Sequence, residues 1–231
     1  MTAPDAHVFA AVPLRGARLD LEPLRLGHAA ELAEALADPA LHAFIGGTPL
    51  PEPELRARYR RLLAGSPDPG TVWCNWALRL RVGAQGAYGA AGSAVGTEGP
   101  YGAAGASGAV VEAGSAEAAG VAEAAGVAVG TVQATVTADG AEVAWVVGTP
   151  WQGRGLAREA AVVLTDWLRE RGVPRLVAHV HPEHHASAAV ATAAGLAPTE
   201  VLHEGERRWE WRAQGRGAGV RRGGELPDPT G

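Results

Sequence analysis

Residues 152–157 combine glycine and arginine in a pattern that suits an anion. The run reads Gln152-Gly153-Arg154-Gly155-Leu156-Ala157, with a strand pattern before it and a helix pattern after it. Glycines let successive backbone N–H groups converge on one anion, and the start of a helix adds a favourable dipole. Arg154 and Arg158 would add charge-assisted hydrogen bonds to phosphate oxygens. The run therefore predicts a phosphate-binding turn, with a glycine turn that only permits tight strand-to-helix packing as the alternative.

The elements that must position this turn follow from hydrophobic periodicity. Alternation of polar and apolar residues predicts strands over residues 18–22, 72–81, 127–137 and 142–147. Helical spacing predicts one helix over 29–36, a second that has Pro53 in its first turn and is closed by Gly65, and a third that begins at Leu156 and stops at Arg171-Gly172. After the last of these, the sequence predicts a strand over 175–181, a small-residue helix over 183–194 and a final strand or hairpin over 200–212. The phosphate-binding turn thus lies between a meander of strands and the longest helix.

Between the second and third strands the sequence becomes low in complexity. Tyr-Gly-Ala-Ala-Gly occurs at 88 and again at 101, and Glu-Ala-Ala-Gly-Val-Ala occurs at 117 and again at 123. Such a segment has too few large apolar side chains to offset its ordering entropy, so we expect residues 83–126 to be a disordered insertion. We also expect a flexible N-terminus over 1–16 and a disordered tail over 214–231. The single folded domain would then span 17–213.

Composition limits the partners and the compartment. The formal net charge is −5, and four glutamates within 83–126 carry most of it, which leaves no basic patch for nucleic acid. No stretch of about 18 apolar residues exists to span a bilayer, and residues 1–16 lack the pattern of a signal peptide. The one cysteine cannot form an internal disulfide. We expect a cytoplasmic protein with no nucleic-acid or membrane partner; its oligomeric state is not predicted.

The anion-binding run resembles motif A of the GNAT N-acetyltransferases, whose pattern Gln152, Gly155 and Ala157 match. The resemblance extends in order from residue 18 to residue 212, apart from the insertion. Within the family it is most similar to the branch of ribosomal-protein N-terminal acetyltransferases. That similarity is carried by Trp151 with the run that follows, by the segment 181–187 (His-Pro-Glu-His-His-Ala-Ser), and by Gly195-Leu196. The branch usually has asparagine where His184 stands and phenylalanine where Leu196 stands.

The resemblance implies an α/β fold, a single domain whose mixed six- or seven-stranded sheet splays around acetyl-CoA and carries helices on both faces. The sheet would open between the strands at 142–147 and 175–181. Backbone groups around Val146 and Val147 would bind the pantetheine arm, and one N–H there would polarise the thioester carbonyl. The pyrophosphate would contact Gln152, Gly153, Arg154, Gly155, Leu156, Ala157 and Arg158, and His184 would face the coenzyme. The co-substrate is acetyl-CoA, and no metal is implied.

The implied reaction is direct attack of a neutral amine on the thioester, with a primary amine of a protein N-terminus or a small molecule as acceptor. Many members of the family protonate the leaving thiolate with a tyrosine, at the position that Ala191 occupies here. Ser187 is the candidate acid instead, and Glu142 is the candidate base because it alternates along its strand with Ala144 and Val146. Each has a structural alternative: Ser187 as a helix cap and Glu142 as an exposed strand-end residue.

The same residues allow other interpretations. The chain would otherwise be a coenzyme-binding regulatory module without turnover, or a nicotinamide dinucleotide enzyme, although Arg158 stands where that fingerprint needs its third glycine. The four histidines at 179, 181, 184 and 185 have no carboxylate or cysteine ligand at a familiar spacing, so no metal site is predicted. Cys74 is expected to be an inert core thiol, and Trp76 or Trp209 is expected to contact the acceptor or to pack in the sheet.

Overall fold

The computed structural model describes residues 4–5, 7–83 and 126–214. Its strands are β1 (Leu14–Arg15), β2 (Leu19–Pro23), β3 (Val72–Leu80), β4 (Val127–Thr137), β5 (Gly140–Val147), β6 (Arg175–Val180), β7 (Ala197–His203) and β8 (Glu206–Arg212). Its α-helices are α1 (His28–Ala35), α2 (His42–Ile45), α3 (Glu52–Leu63), α4 (Leu156–Glu170) and α5 (His185–Ala193). Short 3-10 turns at Pro39–Leu41 and Thr149–Trp151 precede α2 and the predicted anion-binding run. No described helix is long and apolar enough to cross a membrane.

The strands form one mixed sheet in the order β1-β2-β3-β4-β5-β6-β8-β7. All neighbouring pairs are antiparallel except β5 and β6, which run parallel. Within the described residues the sheet has eight strands rather than the predicted six or seven. One added strand is the two-residue β1, and the other arises because the segment predicted as a final strand or hairpin folds into β7 and β8. Glu204 and Gly205 connect β7 to β8, and both have positive φ, as a tight hairpin turn requires.

Two apolar cores cover the two faces of the sheet. Alternation along the strands sends Trp76, Val132 and Val143 to the face that packs against α4, whose stripe includes Leu156, Leu164 and Leu168. The opposite face has a smaller core, built from residues of α1, α3 and the sheet: Leu24, Ala29, Leu32, Leu55, Tyr59, Ala77 and Ala128. Helices therefore lie on both faces, as expected.

Residues 7–16 pack more closely than their sequence indicated. We predicted a flexible N-terminus over 1–16, but Phe9 lies in the main core and meets the Trp167 ring edge to face, with ring centroids 6.3 Å apart. The Trp76 indole N–H donates to the Val12 carbonyl at 2.7 Å, and the Cys74 thiol donates to the Phe9 carbonyl. Burial raises the pKa of the Cys74 thiol to about 12, as expected of an unreactive core thiol. These contacts join residues more than 60 positions apart, so local sequence patterns do not predict them.

Most of the predicted insertion lies outside the described residues, but its two ends are defined. Leu80 at the end of β3 pairs with Val127 at the start of β4. The Arg79 guanidinium also donates to the Gly126 carbonyl at 2.6 Å. A direct link from Gly83 to Gly126 would leave four residues between the paired strand ends, which is an ordinary hairpin loop length.

Deletion of residues 84–125 should therefore leave the fold and coenzyme affinity intact. We expect the free energy of unfolding to rise by no more than about 2 kcal/mol, since loop-closure entropy varies only with the logarithm of loop length. Urea unfolding and calorimetric titration with acetyl-CoA would measure both quantities. A variant that lost its cooperative transition would show that the insertion is part of the core.

Candidate active site

The loop before α4 has the backbone conformation of an anion-binding turn. Gly153 and Gly155 have φ of +71° and +73°, a left-handed conformation that side chains with a Cβ rarely adopt. Gly155 is the N-cap of α4, so the N–H groups of the first helical turn have no partner within the helix. These donors and the positive end of the helix dipole would favour a bound phosphate.

A partly buried ion pair holds this loop in place. The Arg18 guanidinium donates to the Glu159 carboxylate at 2.8 Å and to the Arg154 carbonyl at 2.8 Å, so it ties the start of β2 to the loop. Glu159 also accepts the backbone N–H groups of Arg18 and Leu19. Burial alone would raise the pKa of Glu159, but these hydrogen bonds from Arg18 and Leu19 outweigh it and hold the pKa below its ordinary value. The carboxylate is therefore charged at neutral pH and forms an ion pair with the Arg18 guanidinium.

The sheet opens between β5 and β6. Their parallel pairing is limited to Ala141 with Leu176 and Glu142 with Val177, at the start of both strands. Beyond Glu142, no strand among the described residues pairs with the edge of β5 that faces β6. This is the splay expected between the two strands.

The register of β4 and β5 shows which backbone groups face that opening. The Gly148 N–H donates to the Val129 carbonyl at 2.8 Å, while Gly130 stands opposite Val147. In an antiparallel ladder this makes Gly130 and Val147 a non-hydrogen-bonded pair, so the N–H and C=O of Val147 point away from β4 and into the gap. The Val147 carbonyl accepts the Gln152 side-chain amide at 3.0 Å. Val147 thus presents a backbone N–H at the opening, whereas the Val146 backbone faces β4.

A cavity of about 460 Å³, here the first cavity, joins the opening to the loop. Its walls come from β5, from the loop and first turn of α4, and from α5. Every residue predicted to contact the coenzyme lines it except Arg154, namely Val146, Val147, Gln152, Gly153, Gly155, Leu156, Ala157, Arg158 and His184. Arg158, one helical turn further along, is therefore the arginine placed to contact an anion there. Arg154 contributes its backbone carbonyl to the Arg18 contact instead.

The two candidate acid–base residues meet at a smaller cavity of about 210 Å³, the second cavity, which lies at the open end of β5 and β6. Glu142 and Ser187 both line it, although they come from β5 and α5. The Glu142 carboxylate is 3.4 Å from Nδ1 of His179 on β6, and its side chain is 59% exposed. Ser187 also lines the first cavity, so it stands between the two.

Phe44 is a site residue that the sequence did not indicate. Its ring stacks on His184 with centroids 4.3 Å apart and planes 17° apart, and it lines both the first and the second cavity. Burial, and then the neighbouring His181, lowers the pKa of His184, so the stacked ring is neutral at pH 7. Phe44 lies in the short α2, a segment with no periodic pattern of its own, and only the tertiary contact with α5 identifies it.

The remaining candidates are the possible metal ligands and the two tryptophans, Trp76 and Trp209. Within the described residues, no group of three or more histidine, cysteine or acidic side chains could hold a metal ion. Trp209 packs against the main core from β8. Trp76 is fully buried and also borders a third cavity, of about 520 Å³, on the face of the sheet opposite α4.

Comparison with known proteins agrees with this geometry. The family model of the acetyltransferase (GNAT) domain matches residues 18–197. Among solved structures, an acetyltransferase from Agrobacterium tumefaciens is 21% identical with a TM-score of 0.56, over 89% of this chain and 96% of that one. A GNAT-family acetyltransferase from Bacillus anthracis is 14% identical with a TM-score of 0.57, over 87% and 98%. RimL, a ribosomal alpha-N-protein acetyltransferase in complex with coenzyme A, is 11% identical with a TM-score of 0.57, over 87% and 98%.

These identities show a shared fold. A search of the curated proteins found no match. The family model covers most of the chain, from the start of β2 to the start of β7, and therefore includes the anion-binding loop and the splayed strands. The chain belongs to the GNAT acetyltransferase family.

Proposed function

We propose that the protein transfers the acetyl group of acetyl-CoA to a primary amine by direct attack of the amine on the thioester. Membership of the family supports acetyl transfer from acetyl-CoA, and the observation that carries the proposal for this chain is the first cavity. That cavity joins an anion-binding helix start to an unpaired strand edge. Together these features suit a ligand with a pyrophosphate at one end and an amide-containing arm at the other.

The residues on the cavity walls have distinct roles in the proposal. The pyrophosphate would accept hydrogen bonds from the loop between Gln152 and Ala157, with Arg158 adding positive charge. The arm would extend along the free edge of β5. The Val147 N–H points into the gap and would donate to the thioester oxygen, where negative charge develops as the amine attacks.

The second cavity brings together the two side chains that would take part in the proton transfers. As the amine nitrogen bonds to the thioester carbon, Glu142 would accept its proton directly or through water. The bond from carbon to sulfur then breaks, and Ser187 would donate a hydrogen bond to the departing thiolate. The proton that leaves the amine finally resides on the coenzyme thiol. Ala191 is buried and has no hydroxyl, whereas many family members have tyrosine at this position. Ser187 is the residue of α5 that brings a hydroxyl to the wall of the second cavity.

The proposal predicts acetyl-CoA-dependent release of free thiol in the presence of primary amines. We expect Glu142→Gln and Ser187→Ala each to lower kcat by about 10- to 100-fold while the Kd for acetyl-CoA stays unchanged, because these side chains act on protons rather than on binding. Thiol release over pH 6 to 9, with mass spectrometry of the product, measures the rate. Calorimetry measures the affinity.

Thr192→Ala is a matched control for Ser187→Ala. Thr192 also lies on α5, but its hydroxyl donates to the Ala188 carbonyl and its side chain lines neither cavity. If both site variants turn over at the parental rate, neither residue is the acid or the base, and the reaction depends on positioning or on other groups. If acetyl-CoA binds and no amine is acetylated, the chain is a coenzyme-binding module without turnover.

A further inference from the structure

The third cavity opens on the face of the sheet opposite α4, between α1, α3 and the middle of β3, β4 and β5. It is bordered by Trp145 and Val146, which also border the first cavity. The two cavities therefore meet at the end of β5, beside the backbone that would hold the thioester. A molecule in the third cavity would approach the reacting carbon from the side opposite the coenzyme.

Neutral polar groups form the floor of the third cavity. Asn75 on β3 stands opposite Gln133 on β4, which in turn stands opposite Ala144 on β5. Thr131 stands opposite Val146 and completes the floor. Across the described residues, the side chains of Asn75, Gln133 and Thr131 have no hydrogen-bond partner. Their donors and acceptors are available to a ligand.

The walls of the third cavity are apolar. Six leucines contribute to them, from the segments that carry α1 and α3: Leu24, Leu32, Leu36, Leu50, Leu55 and Leu62. Tyr59 adds a ring that is 4% exposed, and burial raises its pKa to about 12, so its hydroxyl stays protonated. A ligand with a bulky apolar body would bury its surface against these side chains, and the cavity volume of about 520 Å³ suits a small molecule.

The charge at the cavity is positive. Arg58 on α3 lines it, no described lining residue is aspartate or glutamate, and no ion pair to Arg58 is found in the part of the chain that the structure describes. A second ammonium group on the ligand would meet no carboxylate there and would be repelled by Arg58. A carboxylate or phosphate would gain a charge-assisted hydrogen bond from the guanidinium.

From these features we propose that the third cavity holds the acceptor, and that the acceptor is a small amine with a bulky apolar body and an anionic group that pairs with Arg58. The inference rests on the proposed function and specifies its substrate class. The amine would lie toward Trp145 and Val146, the apolar body among the leucines, and the anion at Arg58. Polyamines and lysine-rich peptides are disfavoured as acceptors.

Three dipeptides with the same N-terminal amine test the proposal by equilibrium binding to the full-length protein saturated with coenzyme A. Leucyl-phenylalanine has an apolar body and a carboxylate. The same dipeptide with a C-terminal amide lacks the anion, and leucyl-lysinamide has a second cation. We expect affinities to fall in that order. Arg58→Glu should weaken binding of the free acid by about 10- to 100-fold, the loss of a charged hydrogen bond, and should affect the C-terminal amide much less.

Arg60→Glu is the matched control, since Arg58 and Arg60 are both exposed on α3 and the two variants change the net charge equally, but only Arg58 lines the cavity. The effect of Arg60→Glu on the free acid should be less than about 3-fold, because Arg60 would not contact an anion in the cavity and salt screens its charge at longer range. The proposal is overturned if leucyl-lysinamide binds as tightly as the free acid, if both arginine variants weaken binding of the free acid equally, or if no dipeptide binds.

Thiol release from acetyl-CoA with the same dipeptides separates the acetyltransferase hypothesis from the hypothesis about substrate class. Binding in the expected order without acetylation would contradict the acetyltransferase activity alone, and acetylation of polyamines or lysine-rich peptides only would contradict the substrate class alone.

Discussion

Gly155→Val should weaken acetyl-CoA binding by about 100-fold or more, which corresponds to roughly 2.7 kcal/mol. Gly155 has φ of +73° at the N-cap of α4, and a β-branched residue is strained in this left-handed conformation. The loop would relieve that strain by rotating its backbone, which turns the N–H groups at the helix start away from the bound phosphate. A Cβ at this position would meet only the Arg18 side chain, at 3.6 Å, so the effect comes from backbone conformation and not from a clash. Calorimetric titration of the variant with acetyl-CoA measures the loss.

Gly172→Val provides the control for Gly155→Val. Gly172 follows the opposite end of α4 with φ of +75°, and a Cβ there would meet nothing within 4 Å. The backbone strain is therefore similar, but the first cavity does not include this residue. We expect Gly172→Val to lower stability and leave acetyl-CoA affinity unchanged. Parental affinity in Gly155→Val would remove the loop from the coenzyme site.

Glu159→Ala should lower the free energy of unfolding by about 3 kcal/mol, which is typical for breaking one side of a largely buried ion pair. The side chains of Arg18 and Glu159 are 18% and 12% exposed. Removal of the carboxylate would deprive the guanidinium of this ion pair and would also leave the backbone N–H groups of Arg18 and Leu19 without their Glu159 acceptor. Since Arg18 also holds the Arg154 carbonyl, acetyl-CoA affinity should fall as well. Urea unfolding and calorimetry measure the two effects.

The stability effect of Glu159 should depend on pH in a defined direction. Because the pKa of Glu159 in the folded protein lies below its ordinary value of 4.5, its contribution to stability is complete above that ordinary value. The contribution is lost as the pH falls through the lowered pKa. The difference between the parent and Glu159→Ala should therefore be constant from pH 6 to 8 and should shrink in acid.

Glu170→Ala separates this effect from a general loss of charge on α4. Glu170 is exposed at the other end of the same helix, so its replacement should change stability by less than about 0.5 kcal/mol. Equal destabilisation by the two alanine variants would show that the ion pair with Arg18 has no special role in the fold.

Features of this protein that depend on local backbone chemistry could be predicted from its sequence. β4 spans the residues predicted for it, and α4 begins directly after the predicted glycine turn. Both follow from short-range causes, since side chains alternate along a strand, recur every 3.6 residues on a helix, and only glycine adopts left-handed φ without strain. The splay between β5 and β6 was predicted from the family resemblance. The family model confirms that resemblance.

Features that depend on contacts between distant residues were decided by the tertiary structure alone. Phe44 joins the site only because α2 packs against α5, and Phe9 joins the core only because β3 and α4 leave an apolar surface for it. The ion pair that holds the glycine loop before α4 links Arg18 and Glu159 across 141 positions of sequence. Arg158 and not Arg154 lines the first cavity, which likewise depends on which side of the helix start faces that cavity. The sequence alone determined where the chain turns and where glycine allows a left-handed backbone, because those properties are set within a few residues. The residues that complete the site were selected by packing, which depends on which distant surfaces meet.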